Sequence, residues 1–319
     1  MGTGRPETGA AVERMARRPV LVALIGAMCI AWSGTLVALA DVPSSTAAAG
    51  RCLLALPLLA LLARREDRRL GPLPRHTRRV AALAGFFFAC DLVLWHHVIA
   101  QVGAGLATVL GNLQVLVVAA AAWWLLGERP SGRLLASLPV LLLGVALIGG
   151  VLGGDTYGED PRLGVLLGLA TSVAYALFLL VLRHGSSDLR RLAGPLLWAT
   201  GSAAVCSTII GAVLGELAVP DLESLAWLVV LALTAQVLGW LLISSSLPRL
   251  PAAVTSVLLL AQPIGALAIS TVVLSERPTA VQYAGAACIL AGVVVATARR
   301  RRTAPAAPPQ VRSEPALQP

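Results

Sequence analysis

Along this chain, apolar runs of about twenty residues alternate with short segments rich in arginine, proline or glycine. A helix needs roughly 20 residues to cross the hydrocarbon core of a bilayer, and ten runs meet that requirement: residues 19–40, 44–63, 80–99, 103–126, 134–148, 163–182, 192–214, 222–242, 252–274 and 280–298. The fifth is short and extends to Val151 if the glycines after Ile148 are counted. The pattern predicts an all-α membrane protein of about ten transmembrane helices. Composition strengthens this reading, since a chain with 57% hydrophobic and 13% charged residues lacks the charge to keep its whole surface wet, so lipid has to be part of its solvent.

Charge then orients the spans. The net +9 comes from arginine alone, and the arginines sit between the apolar runs, as they do in proteins oriented by an excess of positive charge on the cytosolic side. Nucleic acid is therefore not an expected partner. With the N-terminus in the cytosol, Arg5, Arg14, Arg17, Arg18, the 64–79 loop, Arg129, Arg133, Arg183, Arg190, Arg191, Arg249 and the run 299–302 all fall inside. Only Arg162 and Arg277 fall outside. The carboxylates Asp41, Asp155, Glu159, Asp160, Glu216, Asp221 and Glu223 fall in the outer loops. An even number of spans with both termini cytosolic follows, in the cytoplasmic (inner) membrane. Arg17 and Arg18 before a run ending in Ala38-Leu39-Ala40 also have the form of a signal peptide, but the run is longer than a usual signal core and is read as a retained span. Residues 1–18 form a cytosolic N-terminal segment, and 299–319, rich in Pro, Ala and Gln, a disordered cytosolic tail. Cys29, Cys52, Cys90, Cys206 and Cys288 all lie in apolar runs without a CxxC and read as buried free thiols.

The chain matches itself at an offset of 148 residues, 104–145 against 252–293. Gly127-Glu128-Arg129-Pro130-Ser131 aligns with Ser275-Glu276-Arg277-Pro278-Thr279, Gln114 with Gln262, and Gly144-Val145 with Gly292-Val293. With a three-residue shift, Asp91 to Trp95 aligns with Gln236 to Trp240. The repeats occupy 19–151 and 163–298, joined by a periplasmic linker at 152–162, and each carries five spans. An odd number per copy makes the second enter from the opposite side, so the halves are related by a pseudo-two-fold axis in the membrane plane.

The two Glu-Arg-Pro-Ser/Thr segments closing spans four and nine, Gly50-Arg51 in span two, Gln262-Pro263 in span nine, and the small-residue spans five and ten with Gly144 and Gly292 carry a resemblance. Over about residues 19–298 the chain resembles an EamA-type member of the drug/metabolite transporter superfamily. One departure is Val115, where the family usually has the span-four proline matching Pro263. The resemblance implies transport of amino acids, other metabolites, nucleosides or cationic drugs, with export favoured.

Two charges lie inside spans, where each costs a few kcal/mol even on the mildest insertion scale. Arg51 and Asp91 fall at depths of roughly 10 and 12 Å from the outer surface, so an ion pair, with Asp91 as a candidate site of proton coupling, is expected. The polar set expected at mid-span is Asp91, Asn112 and Gln114 in the first half and Gln236 and Gln262 in the second. Trp32, Trp95, Tyr175 and Trp240 add aromatic surface at similar depths. Convergent polar groups with aromatic walls suit a small organic solute. Glu128 and Glu276 are expected to complement the starts of the helices that follow them, with Ser131 or Thr279 as caps. His96 and His97 diverge by about 100° on a helix and lack a third ligand, so no metal is expected. No Walker-type GxxxxGK[ST] occurs, and no cofactor is called for. The expected function is secondary transport by alternating access, with the lipid bilayer, a small-molecule substrate and protons as the partners. A non-transporting membrane protein, or a membrane enzyme using Asp91 with His96 or His97, is the alternative.

Overall fold

The computed structural model describes residues 19–126, 132–151, 156–185, 188, 190–246, 250 and 260–297. Seven helices are long and apolar enough to cross a membrane: Pro19–Ala40, Ser44–Leu70, Arg75–Val102, Pro161–Leu182, Ala193–Leu214, Leu222–Ser246 and Ala280–Thr297. Shorter apolar helices at Ala104–Val118, Gly132–Ile148 and Ala261–Val273 complete the set of ten, as spans four, five and nine. No strand occurs among the described residues. Glu128 with its Glu-Arg-Pro-Ser motif, the arginines at 5, 14, 17, 18, 129, 249 and 299–302, Asp155, the start of span nine at 252–259 and the tail lie outside the described residues.

Spans two and three run past their apolar cores into Arg64–Arg69 and Arg75–Arg79. Arginine is a good helix former and lays its stem along apolar surface, so the helix outlasts the hydrophobic run.

The packing follows the duplication. Span two packs on seven, four on nine and five on ten, each with its own counterpart, while three packs on six and one on eight, a pair that the pseudo-two-fold axis exchanges. These contacts make the protein two inverted five-helix repeats. Backbones come close where side chains are absent. A Cβ on Gly144 would lie 2.6 Å from the carbonyl oxygen of Gly285 and 2.7 Å from the side chain of Ile289, and one on Gly292 would lie 2.6 Å from Leu141. The offset of 148 maps Gly144 to Gly292 and Leu141 to Ile289, so these are the same contact made twice.

Among the described residues, spans four and eight depart from regular α-helix at mid-depth, and span one is interrupted at the single residue Trp32. Span four is broken between Ala104–Gly111 and Gln114–Leu126. There Asn112 and Leu113 donate their N–H groups three residues back, to Val109 and Leu110, while the Asn112 amide donates to the Thr108 carbonyl at 2.8 Å and the Ser172 hydroxyl to the Leu110 carbonyl at 3.1 Å. Span four thus breaks without the proline that Val115 replaces, because side chains take up the carbonyls that a break frees. Span eight contains a π-helical segment, Ala232–Gly239, between Leu222–Leu231 and Trp240–Ser246.

Candidate functional site

The span-four break borders a cavity, which Trp240, the residue after the π segment, also lines. Helical spacing of three and four residues aims side chains to one face, and three spans use it here. Phe88, Asp91, Leu92 and Trp95 come from span three, Thr108, Gly111 and Asn112 from span four, and Thr171 and Tyr175 from span six. Arg51, Gln114, Trp240, Gln262, Ile30 and Ser33 close the lining, around about 640 Å³ of space between atoms. A second space of about 810 Å³ shares Ile30, Asn112, Gln114, Tyr175, Trp240 and Gln262 with it and continues past Leu179 and Ile243 to Thr297, toward the arginine-rich end of the bundle.

Trp240 stands edge-on to Phe178, Phe88 and Tyr175, with centroids 5.4, 6.0 and 6.4 Å away. Arg51 and Asp91, 3% and 7% exposed, line the same cavity. Among the described residues, three buried polar atoms of the lining lack a hydrogen-bond partner: Arg51 Nε, Gln114 Oε1 and Thr171 Oγ1.

Of the residues that the sequence placed at the site, Asp91, Trp95, Asn112, Gln114, Tyr175, Trp240 and Gln262 line this cavity, and Trp32 and Gln236 do not. Trp32 is 39% exposed and borders an apolar groove between spans one and eight, with Met28 and Trp227. Gln236 is fully buried and donates to the Thr200 hydroxyl at 3.1 Å. It lies inside the π segment, where a turn takes more residues to close than in an α-helix. The four-residue spacing that stacks Asp91 over Trp95 therefore fails to stack Gln236 over Trp240.

The expected Arg51–Asp91 ion pair is also corrected. Both side chains face the cavity and their charges act on each other, but no nitrogen of Arg51 comes within 4.0 Å of an Asp91 oxygen among the described residues. Matched depth on neighbouring spans fixes the level of two side chains and leaves open which way each helix face turns. Asp91 and the two histidines do not converge either. His96 is buried, bonds the Leu92 carbonyl and borders a separate vestibule at the arginine-poor end. His97 Nε2 contacts Glu216 at 2.8 Å and its Nδ1 the Val93 carbonyl at 2.7 Å. Both of its ring nitrogens face acceptors.

Carboxylates tie the ends of the bundle. Glu276 accepts from the N–H groups of Ala104 at 2.7 Å and Gly105 at 3.3 Å, so it caps span four of the other repeat. The expectation that it serves span ten is thereby corrected. Span ten starts on its own capping box, with the Gln282 side chain accepting from Thr279 N–H at 3.0 Å and Thr279 Oγ1 from Gln282 N–H at 3.3 Å. Gly103, at φ +85°, has to be glycine, since a Cβ there would lie 2.8 Å from the Glu276 carboxylate. Glu216, just after span seven, accepts from the Ser45 hydroxyl at 2.6 Å and its N–H at 3.3 Å, at the start of span two. At the opposite end Glu66 of span two accepts from the N–H groups of Leu192, Ala193 and Gly194 at 2.8–2.9 Å, at the start of span seven. Neither Glu66 nor Glu216 was singled out as a cap from sequence. Their signal is that they fall at nearly the repeat spacing.

Two inverted five-span repeats around a polar, aromatic-walled cavity define an integral, multi-pass α-helical membrane protein. Its sequence carries the EamA-like transporter family pattern twice, at residues 17–150 and 162–298, and the chain belongs to that family, whose members are generally membrane transporters. A solved crystal structure of a protein 17% identical in sequence matches 88% of this chain and 98% of its own length with a TM-score of 0.58, a likeness of fold. Among curated proteins none matches.

Proposed function

We propose that the protein is a secondary transporter, acting as an exporter, that carries a small organic metabolite or drug across the cytoplasmic membrane by alternating access at the central cavity. The supporting observation is the cavity itself, lined from both inverted repeats by aromatic rings and by buried polar groups that lack partners among the described residues. In this reading the units 19–151 and 163–298 rock about the pseudo-two-fold axis, and both termini are cytosolic. The arginine-rich end then faces the cytosol and the cavity continues toward it, as loading for export requires. Protons are the coupling ion and Asp91 carries them.

The test is metabolite profiling of cells with and without the protein, followed by flux of the strongest hit in proteoliposomes. Gln114→Leu and Gln262→Leu are expected to lower flux by about tenfold with expression and monodispersity intact. Asp91→Asn is expected to exchange saturating solute across the membrane but to lose accumulation driven by a pH gradient. Normal flux in both glutamine variants would remove the central-cavity reading, and retained pH-driven accumulation would remove the coupling role.

A further inference from the structure

We propose that the hairpin joining spans two and three is a docking surface for anionic phospholipid headgroups, in the leaflet at the arginine-rich end of the bundle. Residues 64–79 hold seven arginines and two carboxylates. Both carboxylates are engaged within the bundle: Glu66 accepts from the N–H groups of Leu192, Ala193 and Gly194, and Asp67 meets Arg191 at 3.2 Å. Arg78 is engaged as well, its Nε donating to the Leu73 carbonyl at 2.8 Å. The side chains of Arg64, Arg65, Arg68, Arg69, Arg75 and Arg79 are exposed and make no hydrogen bond or ion pair among the described residues.

Helix geometry gathers these free charges. At about 100° per residue, Arg64, Arg65, Arg68 and Arg69 fall within about 140° of one another on span two, with Glu66 and Asp67 on the opposite side. Arg64 shares a face with Arg68, Arg65 with Arg69, and Arg75 with Arg79 on span three, each pair four residues apart. Like charges at that spacing repel. A phosphate set between them turns the repulsion into attraction, because each guanidinium can offer it two parallel N–H donors. Only residues 71–74 separate the two helices, and Leu73 is buried in that turn, so the two arginine-bearing ends stand side by side. Their level is marked by Trp198, an exposed tryptophan of span seven whose ring centroid lies 5.7 Å from the Arg78 guanidinium carbon. Tryptophan concentrates at headgroup depth, which puts a fixed layer of phosphates beside the patch. A soluble polyanion such as RNA would have to displace that layer, and this favours lipid as the occupant.

This surface stands apart from the transport reading. The experiment measures Kd on the purified full-length protein in a nonionic detergent by thermophoresis, with dioctanoyl phosphatidylglycerol as the probe and dioctanoyl phosphatidylcholine as its net-neutral counterpart. Phosphatidylglycerol is expected to bind at least about tenfold more tightly, and its advantage to shrink as salt is raised from about 50 to about 500 mM. Arg64→Gln, Arg65→Gln, Arg68→Gln and Arg69→Gln combined should erase the preference, at roughly fivefold per arginine. Arg162→Gln, which removes an exposed arginine at the opposite end, should keep it. The wild-type comparison decides even if the quadruple variant fails to fold. Equal binding of the two lipids overturns the proposal, and so does a preference that the quadruple variant retains in full. Glycerol phosphate carries the same phosphate without acyl chains. Its displacing phosphatidylglycerol at equal concentration, or tighter binding of a short RNA oligonucleotide, would make a soluble anion the occupant and overturn the proposal too.

Discussion

Glu216 shows how much one side chain can join. Its carboxylate meets the start of span two through Ser45 and the outer part of span three through His97, while its own carbonyl accepts from Thr46 at 2.7 Å. Partial burial works to raise its pKa, but the hydrogen bonds from Ser45 and His97 outweigh that and hold the carboxyl below its ordinary 4.5. A depressed folded-state pKa adds stability that is fully present above the unfolded value and is lost as pH falls through the folded one. The melting temperature in detergent should therefore drop as the pH is taken below about 4.5. Glu216→Ala should cost about 1 kcal/mol at neutral pH and lose that acid-sensitive component, whereas an unchanged melting curve would show that the contact contributes nothing. Reading the sequence identified Glu276 as a cap from its chemistry and gave it the wrong helix. A helix start is visible in a sequence, but which carboxylate stands across from it depends on how helices cross in space. The same limit hid Glu66 and Glu216, and it explains why Arg51 and Asp91, matched in depth, do not meet.

At the scale of single spans, the long apolar runs were legible because a helix in lipid has to satisfy its own backbone over a fixed thickness. The irregular turns were not. The span-four break depends on Asn112 and Ser172 reaching freed carbonyls, and the π segment at Ala232–Gly239 contains neither proline nor a run of glycines to announce it. Glycine contacts were half legible, since Gly144 and Gly292 match in the repeat while Gly285, which Gly144 meets, aligns with Ser137. The crossing of spans five and ten yields a sharp contrast. Gly285→Val puts a side chain where even a Cβ would lie 2.7 Å from the Gly144 carbonyl oxygen, and it should cost about 3 kcal/mol or more, seen as lost monodispersity in size-exclusion chromatography. Gly201→Ala in span seven meets only Leu56, at 3.8 Å, and should purify like the wild type. If Gly285→Val also purified normally, the close crossing would be wrong.

Across the whole molecule, spans two and seven stand as one unit, clamped at one end by Glu66 and at the other by Glu216. Arg191 reinforces the Glu66 end, bonding Asp67 at 3.2 Å and the Leu70 and Gly71 carbonyls. The clamps are exchanged between the repeats: the first repeat's carboxylate covers the second's helix start, and the second's covers the first's, with Glu276 doing the same for span four. Self-sufficiency is thus withheld from each half. A polypeptide holding only residues 19–151 would carry the starts of spans two and four with their partners on a missing chain, leaving backbone amides bare where water is scarce. Synthesised as two separate polypeptides in one cell, 1–155 and 156–319 should accumulate together and co-purify, whereas either alone should be degraded. Stable accumulation of a solitary half would show that the exchanged carboxylates are dispensable. The interdependence makes gene fusion a safeguard, since one chain delivers both halves in equal number, and a lone half has nothing with which to finish folding.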